Sequence, residues 1–165
     1  MSLLPLTSAS IVIQIHAFGA IFALLLGLVI LVLGKGTRLH FWAGRTWALV
    51  MLMVSLSSFF ISQNPIIGPF GIIHVLSVMT LVGLARALYS ARKRDFRAHG
   101  RAMMALYFQA LILAGVFTFA PGRIMNRVLF STAELSIILP LTLGFAGFAV
   151  LLGFTLRKNL ALTRR

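Results

Sequence analysis

The 165-residue chain has no cysteine, only two acidic residues, Asp95 and Glu134, and five prolines. Without cysteine there is no disulfide, no thiolate metal site, no c-type haem attachment and no iron–sulfur cluster on the chain's own thiols. Two acids, placed on opposite membrane faces by the topology below, exclude a paired-carboxylate mechanism. Charge is scarce as well: 10% of residues are charged, against about 25% in an ordinary globular domain, and 60% are apolar, with mean hydropathy +1.03. No Gly-rich phosphate fingerprint is present, so no flavin or nicotinamide site is expected. Metal chemistry, if there is any, must use the four histidines.

What the chain does have is apolar runs of membrane-spanning length. Ser10 to Leu33 is apolar except for Gln14 and His16, and a run of this length crosses a bilayer core of ~30 Å. It has no positive residue before it and no small-residue cleavage pattern after it, so it is expected to be kept as a helix. Further spans are expected at Trp47 to Ser62, Phe70 to Ser90, Ala102 to Ala120 and Ser136 to Thr155, separated by polar, basic or Pro-Gly stretches. The net charge of +13 does not point to nucleic acid, because the basic residues sit between apolar runs and form no stripe. Thirteen of the fifteen fall in the first and third connections and after the fifth span, and only Arg123 and Arg127 lie elsewhere. The positive-inside rule then puts the N-terminus outside and the C-terminus in the cytoplasm, with the lipid bilayer as partner.

Within that topology an internal repeat stands out. Ile15-His16 opens a descending span that turns through a basic connection to Arg38-Leu39-His40 and Gly44-Arg45; Ile73-His74 opens another that turns to Arg97-Ala98-His99 and Gly100-Arg101. The expected fold is an all-α integral membrane protein forming a single domain. Its four-helix core is made of two duplicated hairpins, about 10–62 and 69–120, with a fifth helix at about 133–157. With Thr37 and Asp95 as N-caps, His40 and His99 lie one turn into the second and fourth helices. At 1.5 Å per residue the two histidine levels are then ~18–20 Å apart, His16 with His74 in the outer leaflet and His40 with His99 in the inner.

Two imidazoles facing each other at one depth suit the axial positions of a six-coordinate haem b, and such ligation favours electron transfer over oxygen binding. A porphyrin also needs small neighbours and cations. Gly19 and Ala20 follow His16, Ser77 follows His74, Gly44 follows His40 and Gly100 adjoins His99; Arg38, Arg45, Arg97 and Arg101 surround the inner pair as propionate partners, and Arg123 and Arg127 serve the outer. A membrane histidine can also simply hydrogen-bond a neighbouring helix, and small residues pack helices. The dispersed methionines read as packing, and Tyr107 and Gln109 as helix-to-helix hydrogen bonds or the lining of a quinone pocket.

The Ile13-Gln14-Ile15-His16 segment, Leu39-His40 with Gly44-Arg45, and His99-Gly100-Arg101 resemble the bacterial membrane-protein family named domain of unknown function 2306, along most of the chain. That resemblance implies a location in the bacterial inner membrane and brings no established activity. A second resemblance is to transmembrane two-haem cytochromes b of the ascorbate-reducible, ferric reductase type, in which alternate helices supply each ligand pair. It implies two haems, ligated by His16 with His74 and by His40 with His99. The outer site is the closer match, because the histidine spacing within a hairpin is shorter here than in those cytochromes. The expected function is transmembrane electron transfer between a small donor such as quinol and an acceptor on the other face. The alternative is a cofactor-free assembly factor or small transporter, though the first four spans have no proline break of the transporter kind.

Overall fold

The structure, a computed structural model, describes residues 3–61, 68, 70–119 and 122–129. The expected fifth span, Ser136 to Thr155, lies outside them. The chain divides into two units, 6–114 and a second made of 1–5 with 115–165.

The described residues are helical: α1 Leu4–Thr7, α2 Ile11–Val32, α3 Arg38–Ser58, α4 Ile72–Arg92, α5 Phe96–Leu106, a π-helical segment Tyr107–Leu113, α6 Ala114–Thr118 and α7 Ile124–Leu129. Four helices are long and apolar enough to cross a membrane: α2, α3, α4 and the continuous Phe96–Thr118. Their outward faces carry large apolar side chains such as Phe18, Phe22, Leu25, Leu49 and Val82, as a lipid-facing surface requires.

The second and fourth spans begin earlier than their apolar runs, at Arg38 instead of Trp47 and at Phe96 instead of Ala102. The starts are set by caps, which hydropathy does not register. The Thr37 hydroxyl accepts from the His40 N–H at 3.1 Å, and the Asp95 carboxylate accepts from the Ala98 N–H at 2.9 Å. The connections are equally local. Lys35 Nζ donates to the carbonyls of Ile30 and Leu31, neutralising the end of α2, and Gly36 takes φ +78°. After α4, Arg94 takes the left-handed conformation (φ 59°) and donates to Ala91 while Asp95 donates to Ser90, the Schellman pattern with arginine in the usual glycine place. Asp95 therefore closes one helix and caps the next.

Within residues 6–114 the four helices close into a ring: α2 packs on α3, α3 on α4, α4 on α5, and the π segment returns to α2. Trp47 Nε1 donates to the Ala23 carbonyl at 2.9 Å and the Tyr107 hydroxyl to the Leu24 carbonyl at 3.1 Å, both beside Gly27, where a Cβ would collide with both rings. Ser58 and Ser77 share a hydrogen bond between α3 and α4. The π segment is absent from the sequence-based reading. Its wider turn carries Leu106 and Leu111, five residues apart, onto the same buried face. Gln14, polar within the first span, folds back to donate to the carbonyls of Thr7 and Ala9.

In the second unit, α7 carries Arg127 in its last turn, with Arg123 just before it. Asn126 is buried and donates to the Phe119 carbonyl at 2.7 Å.

Candidate functional site

Helical register puts every histidine on a stripe of buried positions. His16 leads to Gly19, Ala23 and Gly27 on α2; His40 leads through Gly44 to Trp47 and Met51 on α3; His74 leads to Ser77, Thr80, Leu84 and Ala87 on α4; His99 leads to Leu106 on α5. Each therefore belongs to the core face of its helix. Two polar levels result, one at each end of the bundle.

At one end, His16 Nδ1 lies 2.9 Å from the Val54 carbonyl and 3.1 Å from Ser57 Oγ. A carbonyl can only accept, so Nδ1 carries the proton and Nε2 keeps a lone pair. His74 has the opposite arrangement. Its Nδ1 accepts the Gly71 N–H at 3.0 Å, closing the first turn of α4, so its proton sits on Nε2. The His74 ring is buried against Phe59 and Phe70, with centroids 5.8 and 5.1 Å away.

At the other end, His99 Nδ1 donates to the Ala87 carbonyl at 2.9 Å, which frees its Nε2 lone pair. His40 lies within electrostatic reach of both His99 and Lys35. Its Nδ1 is sealed from solvent and has no partner; among the described residues no other buried side-chain nitrogen or oxygen is left so. A buried orphan of this kind costs about 1–3 kcal/mol unless an absent group completes it. From His74 to Ala87 the α4 axis rises ~20 Å, which separates the two levels by more than one metal centre can bridge.

The small residues divide in the same way. A Cβ at Gly19 would meet Met53 at 2.6 Å and Val54 at 2.9 Å, so that glycine is spent on helix contact beside His16. Ser77 is spent on Ser58. Gly44, one turn from His40 on the same face, has nothing within 4 Å of a Cβ, and neither has Gly100. No neighbouring side chain closes on the histidine stripe at Gly44, in contrast to Gly19 beside His16.

Fitted to haem b, the two ends differ. The His40–His99 end offers a neutral ring with its lone pair oriented by a backbone carbonyl, the arrangement found behind metal-bound histidines, together with an unpartnered second ring and open space. It fits. The His16–His74 end does not fit as it stands, because His74 presents a protonated nitrogen and freeing the other would break the start of α4. No group of three or more His, Asp or Glu gathers among the described residues, so a metal held here would draw on paired histidines at most.

The arginines are less well placed than their numbering implies. Arg97 and Arg101 lie two residues either side of His99, ~200° round the helix, and are exposed. Arg45 is exposed and stacked on Phe41, 3.9 Å from Cζ to the ring centroid. Arg38, just inside the Thr37 cap, is exposed at the His40 end. Arg123 and Arg127 belong to the second unit. The residues that orient the rings, Val54, Ser57, Gly71 and Ala87, were missed by sequence reading. Three of them act through backbone atoms, which leave no trace in the sequence, and Ser57 was available only as a polar residue late in the second span.

Four helices long and apolar enough to cross a bilayer, each with a histidine on its inward face, make this an α-helical, multi-pass membrane protein. A family model described as "Predicted membrane protein (DUF2306)" matches residues 13–155, and the chain belongs to that family. No curated protein and no solved structure matches the chain, so the likeness to two-haem cytochromes b has no counterpart among the comparisons.

Proposed function

We propose that the chain is an electron-transfer membrane protein holding one haem b between His40 and His99, in a cytoplasmic membrane with the basic connections on the cytoplasmic side. The observation that carries this reading is the pairing of a carbonyl-oriented His99 ring with the sealed, unpartnered Nδ1 of His40. His40 and His99 would hold a haem b, which would supply one-electron chemistry there. The chain's own residues do the rest. The Ala87 carbonyl fixes the tautomer and direction of His99, Gly44 leaves the face beside His40 open, and Arg38 offers a cation at the membrane boundary for a propionate.

One haem is proposed instead of the two expected from the sequence, at the His40–His99 end beside the basic connections. A cofactor-free membrane protein is the second reading, favoured by the protein partners already held by Nδ1 of His16 and of His74. Reduced-minus-oxidised spectroscopy on chain purified from haem-replete cells separates them. A low-spin b-type difference spectrum is expected, and a colourless, folded, monodisperse preparation would leave the cofactor-free reading.

A further inference from the structure

Arg86 differs from the loop cations in lying inside a span. It sits six residues before Arg92, the last residue of α4, or ~9 Å along the axis. It is exposed, on the side of α4 turned away from the buried Leu84 and Ala87. Asp95, the one acid among the described residues, is spent on capping α5, and Arg86 has no side-chain hydrogen bond or ion pair with any described residue. An arginine within a membrane span is costly unless its charge is paired or carried to a polar, anionic boundary. No described protein group does either for Arg86.

Arg86 has company on that face. A shallow groove of about 470 Å³ is lined by Ala85, Arg86, Leu88, Tyr89 and Arg92, so two arginines and a tyrosine border one space. Tyr89 is exposed, its hydroxyl has no hydrogen bond to a described residue, and Lys93 Nζ lies 5.7 Å from its ring centroid. Toward the middle of α4 the same face continues as exposed Val82, Val78 and Val75, spaced four and three residues apart. Cations thus gather at the helix end, and an apolar track leads away from them into the span. A phosphodiester accepts from guanidinium forks and from a phenol hydroxyl. Acyl chains suit the valine track, which a soluble anion has no use for. A zwitterionic phospholipid brings its own cation to compete with the arginines, so the charge pattern selects a headgroup without one.

We propose that this face of α4 binds one anionic phospholipid, with its phosphodiester at Arg86, Tyr89 and Arg92 and its acyl chains along Val82 and Val78. The site is separate from the histidines, and its occupancy does not depend on the haem reading above.

The test is native mass spectrometry of the full-length chain in detergent, titrated with phosphatidylglycerol and, separately, with phosphatidylethanolamine of the same acyl chains. The expected result is saturable binding of phosphatidylglycerol at one per chain, about ten-fold tighter than phosphatidylethanolamine. Arg86→Gln is expected to weaken phosphatidylglycerol binding about ten-fold, and Tyr89→Phe about three-fold. Arg45→Gln removes the same charge from a cation stacked on Phe41 of α3 and is expected to leave the affinity unchanged. Equal affinity for the two lipids, no saturable binding, or equal losses in Arg86→Gln and Arg45→Gln, the mark of diffuse charge attraction, would overturn the proposal. If Arg86→Gln fails to fold, Tyr89→Phe, which removes one exposed oxygen, takes its place, and an affinity equal to that of Arg45→Gln would overturn the site.

Discussion

His40→Ala and His99→Ala are each expected to remove the b-type spectrum, leaving less than about a tenth of the haem per chain, because a ten-fold loss corresponds to only ~1.4 kcal/mol and an axial ligand is worth more. Loss at both positions is the signature of one shared centre. Gly44→Phe is expected to give the same loss by another route, since a ring at that position fills the space that a Cβ does not even touch. Gly44→Ala, which leaves most of that space, is expected to keep the haem. Helical content by circular dichroism serves as the folding control for all four. Retention of the spectrum in either histidine variant would remove that histidine from the site.

The second large effect is structural. At Gly27 an added Cβ would sit 2.6 Å from the Tyr107 ring and 2.7 Å from Trp47 Nε1. Those two side chains tie α3 and the π segment to the Ala23 and Leu24 carbonyls. Gly27→Ala is therefore expected to cost ~1–3 kcal/mol through overpacking. Gly27→Leu is expected to break both hydrogen bonds as well, adding ~1–3 kcal/mol for each buried group left unsatisfied. Against a typical total stability of about 5–15 kcal/mol, that is enough to prevent recovery of folded chain. Thermal unfolding in detergent, read by Trp47 and Trp42 fluorescence, measures the Ala variant; a midpoint unchanged from the unaltered chain would show that the crossing at Gly27 is loose. The same change at Gly44, which meets nothing, is expected to be neutral or stabilising by up to ~1 kcal/mol, because alanine is the better helix former.

The contrast between these two glycines also marks where sequence reading stops. Both are small residues on inward stripes, and nothing in the sequence distinguishes a glycine packed under Trp47 and Tyr107 from one facing open space. The spans themselves were legible because apolar length is a property of the sequence, and the Thr37 and Asp95 caps because their side chains act on backbone three residues away. The π segment was not legible, since Leu106 and Leu111 declare their common face only once the helix has widened. The inward face of each histidine and its place near a helix end were legible from the sequence, but the state of each ring was not. It depends on whether a carbonyl, as for His16 and His99, or an N–H, as for His74, lies opposite Nδ1. The arginines show the converse: Arg97 and Arg101 are neighbours of His99 in sequence and lie across the helix from it in space.

The most direct test of the account is the haem-to-chain ratio of the purified, unaltered protein, by pyridine haemochrome against amino-acid analysis. The expected value is near one, since the His40–His99 end fits a bis-imidazole haem and the His16–His74 end, with its protonated His74 Nε2, does not. A ratio near two would contradict the assignment of the His16–His74 end, and a ratio near zero would contradict the haem site itself.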